Sequence, residues 1–209
     1  KQAVQIWPRF HQLDVVRRLL ADTRANGAGH RYLLQHSAGS GKSNSIAWLA
    51  HQLIGLKKEE ATIFDSIIVV TDRKILDQQI KDTIKQFAQV GATVGHAAHS
   101  GDLRKFIAEG KKIIISTVQK FPFILDEIGS EHRGRRFAIV IDEAHSSQGG
   151  RTSAKLSIVL SQAGAEPDDE EELEDKINRI IEAKKLLPNA SYFAFTATPK
   201  NKTLEIFGA

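Results

Sequence analysis

Five apolar runs punctuate the chain, and between them the apolar residues fall at helical spacing. The runs are Tyr32-Leu33-Leu34, Ser66-Ile67-Ile68-Val69-Val70-Thr71, the stretch 111–117, Phe137-Ala138-Ile139-Val140-Ile141 and the stretch 191–197. Each is apolar through its length rather than alternating, the pattern of a strand buried on both faces. Leu13, Val16, Leu19 and Leu20 make a helical stripe after Pro8, which can open a helix. Ile46, Leu49, Ala50, Leu53 and Ile54 make a second over 42–56, and Ile75, Leu76, Ile80, Ile84 and Phe87 a third. Shorter helices are predicted over 102–109 and 118–128, with Pro122 in a first turn, then over 155–160 and 168–187. Breaks fall at Asn26-Gly27-Ala28-Gly29, at a solvated connector Lys57-Lys58-Glu59-Glu60, at an irregular stretch 91–101 and at a charged loop 129–136. Strands alternating with helices predict a single α/β domain over 1–209, a parallel sheet with helices on both faces and right-handed crossovers.

In such a sheet ligands bind at the carboxyl ends of the strands. The polar clusters 39–43, 71–74, 117–120, 142–145 and 196–200 all follow a predicted strand, which places them on one rim. The first carries the clearest chemistry. Gln35-His36-Ser37-Ala38-Gly39-Ser40-Gly41-Lys42-Ser43 follows a strand and opens a helix, the context a phosphate-binding loop requires. Such a loop turns its N–H groups around a phosphate, and the helix adds its positive end. Gly39, Ser40 and Gly41 form the cradle, Lys42 reaches the β- and γ-phosphates, and the Ser43 hydroxyl binds Mg²⁺. His36 stands where the generic pattern has its first glycine, a departure seen in helicase-type loops. Asp142 ends the fourth strand, where an acid completes a Mg²⁺ shell, and Glu143 beside it would orient or deprotonate an attacking water.

Composition narrows this reading a little. The chain is 41% hydrophobic and 26% charged, an ordinary globular balance, with no apolar run of membrane-spanning length and no signal peptide. It has no Cys, which removes disulfides and thiolate–metal sites, and the expected location is cytoplasmic. It has no Met and starts with Lys1, so it reads as an excerpt of a longer protein. The net charge of +4 hides an asymmetry: residues 166–175 hold eight acids and no base, leaving the remainder strongly basic. A basic body suits a polyanionic partner. His96 and His99 have no third ligand nearby and read as solvated loop histidines.

Asp142-Glu143-Ala144-His145 resembles the DEAH form of motif II of superfamily 2 helicases, a P-loop NTPase family with RecA-like domains. Thr196-Ala197-Thr198 is similar to motif III, which couples nucleotide state to DNA contact, so the resemblance implies coupling roles for His145, Thr196 and Thr198. Arg9-Phe10-His11-Gln12 resembles the upstream glutamine motif, in which Gln12 would read the adenine edge. Val70-Thr71-Asp72-Arg73 with Leu76 and Gln79 resembles motif Ia, and Ile115 to Phe121 the DNA-contact motif after it. Together these imply that Arg73, Thr117, Gln119 and Lys120 hold DNA backbone phosphates, which position without reading sequence.

The wording of the motifs is narrower than the superfamily and resembles the motor (R) subunit of type I restriction enzymes. That resemblance implies an ATP- and Mg²⁺-dependent motor that pumps double-stranded DNA past methylation and specificity subunits. It also implies a second RecA-like domain in the same parent chain, carrying an arginine finger, and a nuclease upstream of Lys1. With the finger absent, residues 1–209 alone are expected to turn ATP over very slowly, since such fingers contribute about 10³–10⁵ in rate. Pro167-Asp168 with Glu182-Ala183-Lys184 matches a nuclease motif in letters only. That chemistry needs the Glu-x-Lys on a strand, and Leu173, Ile177, Ile180 and Ile181 give a helix; the segment 151–190 reads as helical and partly acidic. Two alternatives stand beside the restriction motor. One is the motor of another superfamily 2 helicase, remodeller or type III restriction enzyme. The other is a nucleotide-regulated DNA-binding module without useful hydrolysis.

Overall fold

The computed structural model describes residues 7–37, 39–71, 94–97, 99–142, 187–197, 199 and 201–207. In chain order the elements are α1 (Phe10–Asn26), β1 (Arg31–Gln35), α2 (Lys42–Ile54), β2 (Lys57–Lys58), β3 (Ala61–Thr62), β4 (Ser66–Thr71) and β5 (Val94–His96). Then come α3 (Ser100–Ala108), β6 (Ile113–Thr117), a 3-10 turn (Val118–Lys120), α4 (Phe121–Ser130), β7 (Phe137–Asp142), β8 (Ala190–Thr196) and α5 (Asn201–Phe207).

All five apolar runs become strands of one sheet. Among the described residues it has six strands in the order β1-β8-β7-β4-β6-β5, and every neighbouring pair is parallel. The three central strands β4, β7 and β8 are buried from end to end, as their unbroken apolar sequence requires. Successive side chains go to opposite faces. Ile67, Val69, Val140, Phe193 and Phe195 pack with Val16 and Leu19 of α1 and with Ile46, Leu49 and Leu53 of α2. Ile68, Val70, Ile139, Ile141 and Tyr192 pack with Leu103 and Ile107 of α3, Ile124 and Ile128 of α4 and Ile206 of α5. The expected parallel sheet with helices on both faces is therefore what the chain forms.

Three stretches differ from their sequence reading. Within 91–101, Val94–His96 adds an edge strand beside β6, and α3 begins at Ser100. Three residues carry too little pattern to read as a strand. Gly95 is there because the ring of Phe106 lies over it, where a Cβ would come within 2.6 Å. Asp102 Oδ2 accepts from the His99 N–H at 2.8 Å, closing the start of α3, so His99 serves a helix end. The connector at 57–60 is a small antiparallel hairpin, β2 with β3, turning through Glu59 at φ 54°. Side chains at a distance hold it: Lys58 Nζ donates to the Ala25 carbonyl at 2.6 Å in the last turn of α1, and Arg136 Nη2 to Thr62. The last element, α5, follows the final rim cluster and was not anticipated. The predicted helices over 75–87 and 155–160 and residues 168–186 of the third, and with them the acidic run, lie outside the described residues.

The chain leaves β1 at one side of the sheet and returns between β1 and β7 as β8. The phosphate loop after β1 is therefore two strands from Asp142 at the end of β7, about 9–10 Å at the usual strand spacing. Thr117, at the end of β6, is two strands farther on, so the two ends of the rim are about 19 Å apart.

Candidate functional site

Residues 39–43 form the loop their sequence predicts. Gly39 and Gly41 take φ of 75° and 80°, a left-handed conformation that costs other L-residues about 1–2 kcal/mol. Gly41 is the N-cap of α2, so Lys42 and Ser43 are its first two residues. The amide groups of this first turn have no partner within the helix and are the donors an anion would take.

Lys42 crosses the gap to β7. Its Nζ stands 3.8 Å from Asp142 Oδ1, with the carboxylate only 3% exposed. The presumed phosphate cation and the acid expected to complete a Mg²⁺ shell are thus brought into one place by two separate elements. Ser43 is half-buried one residue further along α2. A hydroxyl and a carboxylate are hard oxygen donors, the chemistry Mg²⁺ takes. Glu143 and His145 lie outside the described residues, as do Arg73 and Thr198.

Gln12 is placed differently from a free adenine reader. It is buried, its Nε2 donates at 3.0 Å to the carbonyls of both Ser40 and Gly41, and its Oε1 accepts from the Arg9 N–H at 2.8 Å. The amide thus ties the start of α1 to the phosphate loop. Beside it runs a groove of about 450 Å³ lined by Trp7, Pro8, Leu13, Trp48 and His51, among others. A Cβ on Gly41 would collide with Gln12 Nε2. Gly41→Ala is therefore expected to lose nucleotide binding and lower the melting temperature. Gln12→Ala in the same chain removes the collision but not the φ strain, so binding, read by calorimetry, should return only in part.

Two histidines join this contact, and sequence reasoning gave neither a role in the site. His11 Nε2 donates to the Ser40 carbonyl at 3.2 Å, and His36 Nδ1 shares a hydrogen bond of 3.1 Å with Ser40 Oγ. His36 is buried with its ring 5.8 Å from the rings of both His11 and Phe195, and its N–H donates to the Thr196 carbonyl at 2.7 Å. Burial, with His11 and Lys42 nearby, pushes its pKa below the ordinary imidazole value. The signal in the sequence was the displaced glycine at position 36; His11 offered none.

At the other end of the rim, Thr117 Oγ1 accepts from Lys120 Nζ at 3.2 Å, and Gln119 is half-buried in the same 3-10 turn. Among the described residues, Thr196 ends β8 with a buried hydroxyl that makes no hydrogen bond. The same holds for Thr71, the last residue of β4, for Ser116 near the end of β6, and for Ser45 inside α2. Three of these four hydroxyls stand in the last two residues of a strand. Buried groups left without partners are uncommon, and here they collect under the rim. Among the described residues no group of three or more His, Cys, Asp or Glu could hold a metal, and no helix is long and apolar enough to cross a membrane.

Comparison with known proteins agrees with this geometry. Residues 11–209 match the SWI2/SNF2 ATPase family. The type I restriction enzyme HindI endonuclease subunit of Haemophilus influenzae is 31% identical over 191 residues, covering 84% of this chain and 16% of that protein. The chain thus spans about a sixth of the length of that relative. Two solved structures share the fold at 15% identity. The UvsW helicase from bacteriophage T4 superposes with a TM-score of 0.56, covering 100% of this chain and 60% of that one. A nuclease-deletion mutant of the Type ISP restriction-modification enzyme LlaGI, in complex with a DNA substrate mimic, gives 0.52 over 94% of this chain and 18% of that one. With a phosphate loop, a strand-end aspartate in reach of its lysine and a match over nearly its whole length, the chain belongs to the SWI2/SNF2 ATPase family.

Proposed function

We propose that this chain is the ATP-binding half of a motor that translocates double-stranded DNA for a type I restriction complex. The observation that carries the ATP site is the meeting of Lys42 with Asp142 beneath a loop whose glycines are in the phosphate-cradling conformation. In this reading Gly39, Ser40 and Gly41 enclose the phosphates, Lys42 neutralises the β- and γ-phosphates, and Ser43 and Asp142 hold Mg²⁺. Bound there, Mg²⁺ would neutralise charge that develops on the phosphates. Glu143 takes the proton of the attacking water, and His145, Thr196 and Thr198 carry the consequence toward DNA. The buried hydroxyl of Thr196, without a hydrogen-bond partner among the described residues, suits that role, because it can gain a partner in one nucleotide state and lose it in another. Gln12 reads adenine only by exchanging at least one of its loop hydrogen bonds, which would link base recognition to loop shape.

DNA backbone phosphates are held by Arg73, Thr117, Gln119 and Lys120. For Thr117 to Lys120 this lies about 19 Å along the rim from the nucleotide, a distance that coupling through β4, β7 and β8 has to span. A second RecA-like domain in the same parent chain is part of this reading; the chain spans about a sixth of the length of its relative. Methylation and specificity subunits are the proposed partners, and the cytoplasm the proposed location. The test is steady-state hydrolysis. The full-length protein with double-stranded DNA and Mg²⁺ should turn ATP over at least 10³-fold faster than residues 1–209 alone. Brisk DNA-stimulated turnover by residues 1–209 would overturn the division into halves. ATP binding with no turnover by the full-length protein would favour a nucleotide-regulated DNA-binding module.

A further inference from the structure

The phosphate loop has a backing that the generic motif does not supply. Three side chains converge on Ser40: His36, at the position of the first glycine, on its hydroxyl, and His11 and Gln12 of α1 on its carbonyl. Gln12 also takes the Gly41 carbonyl. A trans peptide directs its C=O and N–H to opposite sides. Drawing the Ser40 carbonyl toward α1 therefore turns the Gly41 N–H the other way, into the cradle, while the Gly41 carbonyl, shared between Gln12 and the Asn44 N–H of α2, sets the Lys42 N–H. Without such anchors a loop rich in glycine would sample many orientations of these peptides.

His36 is suited to anchor rather than to line the loop. Its backbone is fixed to Thr196 one step past the β1–β8 register, and its ring is enclosed between His11 and Phe195. Ser40, its partner, is 8% exposed. The hydrogen bond between them is therefore sheltered from water. The rings of His11 and His36, 5.8 Å apart, bring α1, the end of β1 and the loop tip into one cluster.

We infer that His36 is a positioning residue of the nucleotide site, holding Ser40 so that the Gly41 amide faces the phosphates. The inference rests on the ATP reading above and adds one residue to it. It predicts that His36 acts through Ser40, which a double-mutant cycle measures. MgATP affinity is determined by calorimetry in the full-length protein for His36→Phe, Ser40→Ala and the pair together, with thermal melting alongside. Phe keeps a ring against His11 and Phe195 but has no Nδ1. Each single substitution should weaken MgATP about 5- to 10-fold, the scale of one sheltered hydrogen bond, and the pair should be no weaker than the worse single. His36→Asn, which offers a polar atom near the position of Nδ1, should recover at least half of the loss.

Unchanged affinity in His36→Phe, or losses that multiply in the pair, would overturn the role. If His36→Phe does not fold, Ser40→Ala decides: unchanged affinity there overturns it equally. Lys42→Ala serves as the control for the underlying reading. If that variant keeps MgATP affinity the ATP site itself is misplaced, whereas its loss with an unaffected His36→Phe rejects the histidine anchor alone.

Discussion

Lys42→Ala in the full-length protein is expected to weaken MgATP binding by about 100-fold and to lower the melting temperature by a few degrees. The first effect follows from removing a charge-assisted contact to the phosphates, worth about 1.5–3 kcal/mol for each hydrogen bond lost. The second comes from Asp142. Its carboxylate is 3% exposed, and Lys42 Nζ stands 3.8 Å away. Breaking a fully buried ion pair from one side costs about 3–5 kcal/mol. Here the lysine is partly exposed and the contact long, so about 1–3 kcal/mol is the appropriate scale. For a domain of this size each kcal/mol moves its own unfolding transition by about 2–4 °C. The two effects separate in a second variant. Asp142→Asn added to Lys42→Ala should restore most of the melting temperature, because the buried charge that faced the lysine is gone, and none of the nucleotide affinity. Calorimetry with MgATP and a thermal melt read both. If the double variant melts no higher than Lys42→Ala, the ion pair is not what stabilises this corner of the sheet.

The larger effect on turnover is expected from Glu143→Gln. Gln keeps the shape and hydrogen-bonding reach of Glu but cannot take a proton. A positioned general base contributes about 10²–10⁴ in rate. DNA-stimulated hydrolysis by the full-length protein should fall by that factor while MgATP affinity stays within about twofold, since Glu143 is assigned to the water and not to the phosphates. This split distinguishes Glu143 from Lys42, whose loss lowers affinity. Hydrolysis that persists at the unmodified rate would remove Glu143 from the role of base.

The sheet was legible because its strands are unbroken β-branched and aromatic runs. A stretch such as 66–71 has no polar face to offer water and so belongs inside a parallel sheet. The rim followed from that, since polar residues at the carboxyl ends of parallel strands gather on one side. What was missed lies below the range of local pattern. β5 is three residues long and depends on Gly95 meeting Phe106. The hairpin at 57–62 depends on Lys58 reaching the end of α1 and Arg136 reaching Thr62.

The nucleotide loop itself was legible, while its support was not. Gly39 to Ser43 carry a local motif whose glycines announce positive φ. The contacts of Ser40 with His11 and Gln12 bring residues 29 and 28 positions upstream against the loop, and no periodicity reports that; His36, four positions away, showed only as the displaced glycine. The resemblance gives Gln12 an adenine edge to read. Its described hydrogen bonds are to backbone, an arrangement set by α1 docking across α2. The partnerless hydroxyls of Thr71 and Ser116 were equally invisible, because a Thr or Ser ending a strand reads the same whether or not it finds a partner.

The central claim is that this rim converts ATP hydrolysis into movement along double-stranded DNA. Displacement of a third strand from a DNA duplex by the full-length protein, assembled with its partner subunits, tests it most directly. The account predicts displacement that requires Mg²⁺ and hydrolysable ATP and is abolished by both Lys42→Ala and Glu143→Gln. Displacement at the unmodified rate by either variant, or none from an assembly that hydrolyses ATP in response to DNA, would contradict it.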